Sequence, residues 1–202
     1  DLVLKFFPNN DAPNVAAYAM PAAADDDRAL FDGEGRNVSN GDDEKGVKVF
    51  TNGFSVCKFN NFKTDGSAGH NSLFPDADFF LMRAAEAYLM YAEADARQNN
   101  GTTTAQGTAY INALRTRANA TTQTAYSLRQ ICDEWSREFY FEGLRRTTLI
   151  RFGYFGGNVN YNWSWKGGVK NGRNFDSHLN LFPIPTSDLV ANEANLIQNP
   201  GY

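Results

Sequence analysis

The chain has 202 residues, of which 42% are hydrophobic and 21% charged, values ordinary for a globular protein with one core or a core and a smaller satellite. Its net charge of −4 gives no reason to expect nucleic-acid binding or attachment to anionic lipid, because both need basic patches. No apolar run approaches the roughly 18 residues of a transmembrane helix. Aromatic residues make up 14%, and we expect most in the core and a few on a surface that stacks on flat ligands such as sugar rings.

The first 75 residues are predicted to be rich in loops, because they contain few helical periods and many helix breakers. Alternating patterns at 47–50 and 54–59 predict short strands or extended edges. The glycines and polar residues at 65–69 predict a turn. This front region is therefore expected to carry only a few short strands.

From Asp78 onward the spacing of apolar residues becomes helical. A first helix is predicted to be capped by Asp76 or Asp78 and to end at 99–101, and a second helix is predicted at about 104–117. Alanines in both helices allow close approach, which predicts a hairpin of about tetratricopeptide size. The predicted buried stripes consist of Phe80, Leu81, Ala84, Ala85, Tyr88, Leu89 and Ala92 in the first helix and Ala109, Tyr110, Ala113 and Leu114 in the second.

A third helix is predicted near 127–151, with Gly143 bending or interrupting it. Residues 153–172 are rich in glycine, asparagine and aromatic residues, which predicts a loop or hairpin. No low-complexity linker divides the chain. We therefore expect one compact unit with a loop-rich region at 1–75, a helical core at 76–152, and an aromatic loop with a C-terminal strap at 153–202.

The C-terminal residues have the composition of a docked strap rather than of a frayed end. The X-Pro bonds at Pro183 and Pro185 predict an extended run, and the closing Asn-Pro-Gly sequence predicts a turn. Between them a short helical turn is predicted at 186–191, with Thr186 or Ser187 as its cap.

Three glutamates recur every four residues in the predicted third helix and would share one face. We interpret them as part of a structural ion network that holds this helix against its neighbours. The alternatives are a metal site or the acid and base of a glycoside hydrolase. The absence of a Glu-x-x-His pattern and the position of both carboxylates on one helix face speak against these alternatives. The network is expected to contain Glu134, Arg137, Glu138, Glu142 and Arg145.

The candidate ligand-binding residues are Tyr161, Trp163 and Trp165, with Asn162 beside them. The three rings alternate along the sequence, so in an extended segment they would point the same way. Rings presented together, with Asn160 and Asn162 available to bind hydroxyl groups, would suit a carbohydrate. The alternative is an apolar lid over the helices.

No metal or cofactor site is predicted. The two histidines, His70 and His178, lack partners at ligand spacing, and no phosphate-binding motif is present. Acidic clusters at 25–27 and 42–44 could offer oxygens to calcium, but they lack EF-hand spacing, so we interpret them as solvated charge runs. Cys57 and Cys132 are expected to be buried free thiols.

Four segments, in this order and spacing, resemble the SusD/RagB family, and the likeness runs from about Asp76 to Tyr202. The chain departs from the family pattern at Arg145-Arg-Thr-Thr-Leu149, where the family commonly has Arg-Trp-x-Asp-Leu. This departure affects contacts at a helix end rather than the fold. The segments are Arg83-Ala-Ala-Glu-Ala-Tyr-Leu-Met-Tyr-Ala-Glu-Ala94, Tyr110-Ile-Asn-Ala-Leu-Arg-Thr-Arg-Ala118, Glu134-Trp-Ser-Arg-Glu-Phe-Tyr-Phe-Glu-Gly-Leu-Arg145, and the tail with Pro-Ile-Pro and Gln-Asn-Pro-Gly-Tyr.

The resemblance implies a mainly α fold with tetratricopeptide-like helical repeats, long loops and a few short strands. It implies a non-catalytic glycan-binding protein that faces the cell surface and delivers its ligand to a SusC-like TonB-dependent transporter. Such proteins are held in the outer membrane of Bacteroidetes by a lipid attached upstream. They are much longer than 202 residues, so we expect this chain to be the C-terminal part of a longer protein.

The stretch from Trp163 to Trp165 is similar to that of members related to the starch-binding prototype, which makes an α-glucan such as starch the expected ligand. Two other functions stay open from the residues alone. One is a helical-repeat scaffold that binds a protein and no sugar. The other is a glycoside hydrolase that uses the glutamate row.

Overall fold

A computed structural model describes residues 2–38, 49–63, 65–157, 159, 161–193 and 195–202. The acidic cluster at 42–44, the first two residues of the strand expected at 47–50, and Asn160 lie outside the described residues. The chain forms two compact units, Asp1–Arg145 and Arg146–Tyr202, and not the single unit expected from the lack of a linker. The boundary falls after Arg145, at the start of a helix that follows a short break in the helical region, so no polar linker marks it in the sequence.

The structure is mostly helical. The described helices are α1 (Met20–Ala24), α2 (Ala84–Gln98), α3 (Ala105–Arg117), α4 (Leu128–Phe139), α5 (Arg145–Arg151) and α6 (Thr186–Ala191). Two short strands, β1 (Phe31–Asp32) and β2 (Ser55–Val56), pair antiparallel. Short 3₁₀ turns lie at Val3–Lys5, Lys166–Gly168 and Ser177–Asn180. Within the described ranges, no helix is both long and apolar enough to cross a membrane.

Helices α2 and α3 form the predicted hairpin, and α4 packs against α2. Their shared core contains Leu89 of α2, Ile111 of α3 and Ile131 of α4, which are completely buried. A second core lies in the front region, where Phe6, Phe31 and Tyr140 pack together with ring centroids 5.5–6.2 Å apart. Both cores belong to the first unit.

Helix α2 begins at Ala84, later than predicted, and neither Asp76 nor Asp78 caps it. Its first flanking residue, Arg83, has an extended backbone because its guanidinium binds buried carboxylates on and beyond α4. The carboxylate of Asp76 instead accepts from the backbone N–H of His70 at 2.6 Å. Phe80 therefore precedes the helix and is 52% exposed instead of buried.

Helix α3 has the predicted bounds and Leu114 is buried as predicted, but the rest of its buried face differs from the prediction. Ala109 and Ala113 are exposed, whereas Thr108 and Ile111 are buried. The reason is Gly107, where a Cβ atom would clash with the carboxylate of Asp95 on α2. Gly107 therefore faces the Asp95 side chain of α2, and Ala109 and Ala113 are turned outward.

The predicted third helix is split in two. Its start is fixed by a capping box, in which Ser127 accepts from the N–H of Gln130 at 3.3 Å and the Gln130 side chain accepts from the N–H of Ser127 at 2.8 Å. Its first part ends at Phe139, because Phe141 adopts a left-handed backbone with φ of 61° and Gly143 another with φ of 81°. The third glutamate of the row thus lies beyond the helix.

In the front region, β2 lies inside the strand predicted at 54–59, while its partner β1 was not predicted. Phe50, the last residue of the strand expected at 47–50, lies in a turn. The turn predicted at 65–69 is present, with the Asp65 carboxylate accepting from the N–H of Ser67 at 2.9 Å. Turn-forming residues thus predicted the turn at 65–69 correctly. The short strands depend on pairing between distant parts of the chain, which the local sequence does not show.

The second unit contains most of α5, the aromatic loop and the strap. Helix α6 has the predicted bounds, but Pro185 is its N-cap, neither Thr186 nor Ser187 caps it, and the Ser187 hydroxyl donates to Asp188. The last residue is held in place, since the Tyr202 hydroxyl donates to the carbonyl of Leu181 at 2.9 Å.

Candidate functional site

Three buried glutamates lie within and just beyond α4 in the first unit. Glu134 is completely buried, and Glu138 and Glu142 are 3% and 7% exposed. Buried carboxylates need cationic partners, and here all the partners except Arg137 come from distant parts of the sequence. Glu134 pairs with Arg28, Arg115 and Arg137 at 2.8 Å each, Glu138 with Arg28, Arg83 and Arg117 at 2.7–3.1 Å, and Glu142 with Lys58 and Arg83.

This arrangement keeps Glu134 and Glu138 ionised. Burial alone would raise the pKa of Glu134, but the guanidinium groups of Arg137, Arg28 and Arg115 outweigh it and lower that pKa to about 2. The pKa of Glu138 is also lowered, against the effect of burial, by hydrogen bonds from arginine. A glycosidase acid needs a raised pKa, so these two residues do not suit that role.

The partners of the glutamates are mostly residues that sequence reasoning missed. Arg137 lies one turn from Glu134 and was expected, but Arg115 on α3 and Lys58 beside β2 were not. Arg145 was expected in the network, and the structure places its guanidinium on the backbone carbonyl of Cys132 at 3.0 Å. The sequence did contain one signal for these partners, since Arg115 and Arg117 lie within one turn of each other at the end of α3.

A cavity of about 400 Å³ opens above the network. Its wall includes Lys58, whose ammonium donates to the carbonyls of Glu138 at 2.9 Å and of Tyr140 at 3.0 Å. The same ammonium lies 4.5 Å from the centre of the Tyr140 ring. The cavity floor is therefore a set of charges that are already paired with one another.

A second pocket of about 390 Å³ in the same unit is lined by the rings of Phe59, Phe79 and Phe141. Phe141 is 65% exposed and has the strained left-handed backbone noted above. The amide of Asn61 in the wall is already used, because it donates to the carbonyl of Asn71 at 2.7 Å and accepts from the N–H of Asp76 at 2.8 Å. The pocket thus presents mainly apolar rings.

The aromatic loop of the second unit does not form the platform predicted for Tyr161, Trp163 and Trp165. Tyr161 is 3% exposed and stacks on Tyr154 at a centroid distance of 4.9 Å. Trp165 has a left-handed backbone with φ of 67°, so the segment is not extended there and the alternation is broken. Trp163 and Trp165 are half-buried, and Asn162 is exposed.

The buried side chain of Lys166, which was not predicted from the sequence, holds the aromatic loop in place. This lysine is 1% exposed and donates to the carbonyl of Tyr161 at 3.0 Å. Its ammonium also lies 4.8 Å from the centre of the Trp163 ring and 5.0 Å from that of Phe175. A buried lysine enclosed by rings fixes the backbone that carries the two tryptophans.

The acidic run at 25–27 is not simply solvated. Asp26 is buried and binds Arg28 at 2.8 Å, while Asp25 accepts from Thr121 and Asp27 from Asn119. In the part of the chain that the structure describes, no group of three or more His, Cys, Asp or Glu side chains could hold a metal ion. Cys57 is a half-buried and Cys132 a buried free thiol, and burial raises the pKa of both.

Comparison with known proteins identifies the family. The model of the SusD family matches residues 22–202. The chain belongs to the SusD family. Over 187 residues, which are 91% of the chain, it is 44% identical to the starch-binding protein SusD of Bacteroides thetaiotaomicron, and it spans 32% of that relative's length.

Solved structures of SusD-like proteins share the fold of this SusD-family chain. One is the surface glycan-binding protein A of Bacteroides thetaiotaomicron, with a TM-score of 0.54 and 22% identity over 78% of this chain and 34% of the other. Another, from Bacteroides vulgatus and provisionally described as sugar-binding, has a TM-score of 0.50 and 30% identity over 67% of this chain and 31% of the other. The mainly α, tetratricopeptide-like fold expected from the sequence is confirmed.

Proposed function

We propose that this SusD-family chain is part of a non-catalytic protein that binds glycans at the cell surface. In this proposal the complete protein passes its ligand to a SusC-like TonB-dependent transporter, and a lipid attached outside these residues anchors it in the outer membrane. The observation that carries the proposal is the 44% identity, over 91% of the chain, to a protein named for starch binding. Starch or another α-glucan is therefore the proposed ligand.

Within this chain, the proposed contact surface is the exposed part of the aromatic loop, formed by Asn162, Trp163 and Trp165. Trp165 is held in a conformation that costs a non-glycine residue about 1–3 kcal/mol, and such strain clusters at ligand-binding positions. An indole ring can stack on the apolar face of a sugar, and a neighbouring amide can bind its hydroxyl groups. Tyr161 is left out of this surface because it is buried.

The glutamate row supports the non-catalytic part of the proposal. Glu134 and Glu138 are ionised and fully engaged by arginines, so neither can give a proton to a glycosidic oxygen at neutral pH.

A second candidate function is a scaffold for a protein partner. The pocket around Phe141 favours it, since its wall consists mainly of apolar rings and the amide of Asn61 in that wall is already bonded within the chain.

Affinity electrophoresis tests the ligand and the surface together. The purified protein is run in gels that contain soluble starch or, for comparison, a β-glucan. We expect retardation by starch that Trp165→Ala and Asn162→Ala reduce and that Phe141→Ala, which removes a ring from the other candidate surface, leaves intact. Retardation that survives Trp165→Ala and Asn162→Ala would exclude the aromatic loop as the contact surface but would still support glycan binding. No retardation by any glycan would favour the scaffold.

Two further measurements test the remaining parts. Reducing sugar released from starch by the purified protein would overturn the non-catalytic assignment, and loss of that release in Glu138→Gln would locate the activity in the glutamate row. Co-purification from outer membranes, with the complete protein as bait, should recover a TonB-dependent barrel. Recovery of the bait from the soluble fraction without a barrel would contradict the proposed location and partner.

A further inference from the structure

The cavity above the glutamate network carries more positive than negative charge. Five cationic and three anionic side chains line it, although the chain as a whole has a net charge of −4. Ion pairs link this set to three charged side chains behind the wall, namely Asp26, Glu134 and Arg115. Among the described residues, six cations thus face five carboxylates, and one formal positive charge is not balanced. The cations are Arg28, Lys58, Arg83, Arg115, Arg117 and Arg137, and the anions are Asp26, Asp27, Glu134, Glu138 and Glu142.

Arg117, the last residue of α3, makes this excess charge accessible. Its side chain is 53% exposed, and its Nη2 atom donates to the two carboxylate oxygens of Glu138 at 2.8 and 2.7 Å. Within the described ranges, the N–H groups on its Nε and Nη1 atoms have no acceptor. By contrast, every guanidinium nitrogen of Arg28, Arg83 and Arg137 is bonded within the chain. A guanidinium with free nitrogens is a strong partner for a carboxylate, so Arg117 offers this cavity an anion-binding group.

The same cavity presents two aromatic rings and a hydrogen-bond acceptor. Phe59 and Phe80 line it and are 40% and 52% exposed. Asp27 also lines it, and its backbone N–H donates at 2.8 Å to the carbonyl of Ala118, the residue after Arg117. A ring can pack on the C–H face of a sugar, and a carboxylate can accept from sugar hydroxyls. Together with a guanidinium, these groups match the three chemical parts of a uronic acid, which are its C–H face, its hydroxyls and its carboxylate.

We propose that this cavity binds the ring of a uronic acid, with Arg117 on the carboxylate, Phe59 and Phe80 against the sugar face, and Asp27 on the hydroxyls. The volume of about 400 Å³ lies within the range of about 300–1,000 Å³ that is usual for small-molecule sites. One carboxylate balances the single excess charge, whereas a phosphate group would exceed it. One accessible guanidinium also favours a sugar acid over an acidic peptide, since clusters of arginines recognise the latter.

The uronate site and the proposed starch surface are separate inferences. The cavity belongs to the first unit, and the aromatic loop belongs to the second. An α-glucan consists of neutral glucose units, which would leave the excess charge at Arg117 unbalanced. The inference therefore goes beyond the proposed function and does not depend on starch binding.

Ligand-observed NMR by saturation transfer tests the chemistry of the site on the complete protein. The main probes are galacturonate and galactose, which differ only in a carboxylate in place of a hydroxymethyl group and contain no glucose. Acetate serves as a carboxylate without a ring, and tetraglutamate serves as an acidic peptide. We expect galacturonate to bind roughly tenfold or more tightly than each of the other three, because charge-assisted hydrogen bonds and ring packing act together. Equal binding of galacturonate and galactose would overturn the proposal, as would equal or tighter binding of acetate or of the peptide, or no binding of galacturonate.

A matched pair of variants locates the site. Arg117→Gln removes the accessible guanidinium, and Arg129→Gln changes an arginine of similar exposure, 49%, on α4. We expect galacturonate binding to weaken roughly tenfold in Arg117→Gln and to stay unchanged in Arg129→Gln, while retardation by starch is the same in both. Unchanged galacturonate binding in Arg117→Gln would overturn the proposal. Galacturonate binding without any retardation by starch would instead contradict the proposed starch ligand alone.

Phe80→Ala gives a second readout that does not disturb the ion network. Phe80 precedes α2 and is half exposed, so we expect the Tm to change little. Loss of the ring should nevertheless weaken galacturonate binding several-fold and leave acetate binding as it was. Unchanged galacturonate binding in this variant would overturn the proposal that the cavity recognises a sugar ring.

Discussion

The side-chain amide of Gln198 binds both backbone groups of Ile184. Its oxygen accepts from the Ile184 N–H at 2.8 Å, and its nitrogen donates to the Ile184 carbonyl at 3.0 Å. Ile184 lies between Pro183 and Pro185, which lack N–H groups, so a strand partner could not pair with this run in the usual way. The glutamine side chain takes the place of a neighbouring strand and joins the last turn of the chain to the proline run.

Replacing Gln198 with alanine should therefore loosen the strap. Three neutral hydrogen bonds are lost, two with Ile184 and one from the Asn199 N–H, at a cost of about 1–4 kcal/mol, and the Ile184 amide is opened to solvent. Hydrogen exchange at that amide should accelerate markedly, whereas Asn195→Ala, at an exposed position in the same segment, should leave it unchanged. Equal exchange in both variants would mean that Gln198 does not hold the strap.

The two serines at predicted helix starts should differ in their contribution to stability. Ser127 takes part in a capping box at the start of α4, so Ser127→Ala should lower the free energy of unfolding by about 1 kcal/mol. Ser187 makes no capping hydrogen bond at the start of α6, so Ser187→Ala should stay within about 0.5 kcal/mol of the parent chain. Urea unfolding of both variants, followed by circular dichroism, compares them. A larger loss in Ser187→Ala would show that the helix starts are wrongly assigned.

Local signals in the sequence predicted the bounds of α3 and α6 and the end of α2, because caps, breakers and periodicity act within a few residues. They did not predict the start of α2, since Arg83 is drawn into an extended conformation by carboxylates more than fifty residues away. They also could not show that Gly107 marks the contact between α2 and α3. That contact decides which face of α3 is buried.

The candidate sites follow the same division. The glutamate row could be recognised from its spacing, but five of its six cationic partners come from outside its own helix and were not predicted. The alternating rings at Tyr161 and Trp165 could be recognised too. The prediction that these rings point the same way was wrong, because Trp165 has a left-handed backbone and Lys166 is buried beneath the loop. Both features depend on how the loop packs, and the local sequence pattern does not encode them.

Lys166 should give the second unit a specific dependence on pH. Burial holds the pKa of Lys166 below its usual value, so the folded state loses the proton at a lower pH than the unfolded chain does. The cost of burying the charge is present below the folded pKa and disappears as the pH rises from there to the unfolded value of 10.5. The parent chain should therefore gain stability relative to Lys166→Met over this interval.

The measurement is the difference in Tm between the parent chain and Lys166→Met, followed from neutral pH to about pH 10. Lys170→Met, which changes an exposed lysine of the same loop, serves as the control and should show a constant difference. A difference that is also constant for Lys166→Met would mean that its ammonium is not desolvated by the surrounding rings.

Glu134 should make a large contribution to the stability of the first unit. Its carboxylate is completely buried and binds Arg28, Arg115 and Arg137, so Glu134→Gln leaves three guanidinium groups with one anion fewer. Breaking a buried ion pair by removing one partner typically costs about 3–5 kcal/mol. The exposed Glu34→Gln should cost less than about 0.5 kcal/mol, and equal unfolding free energies for the two variants would contradict a stabilising network.

The same carboxylate sets the response to acid. The pKa of Glu134 is about 2 in the folded chain, below its ordinary value of 4.5. A depressed carboxyl pKa stabilises the fold above the unfolded value, and this stabilisation is lost as the pH falls from 4.5 towards 2. Over that range the Tm of the parent chain should approach that of Glu134→Gln, while Glu34→Gln should follow the parent. Protonation of Glu134 removes its charge, so an effect of the missing charge in Glu134→Gln should vanish near pH 2. A difference in Tm between the parent and Glu134→Gln that stays constant down to this pH would therefore mean that the glutamine variant loses packing or hydrogen bonds instead.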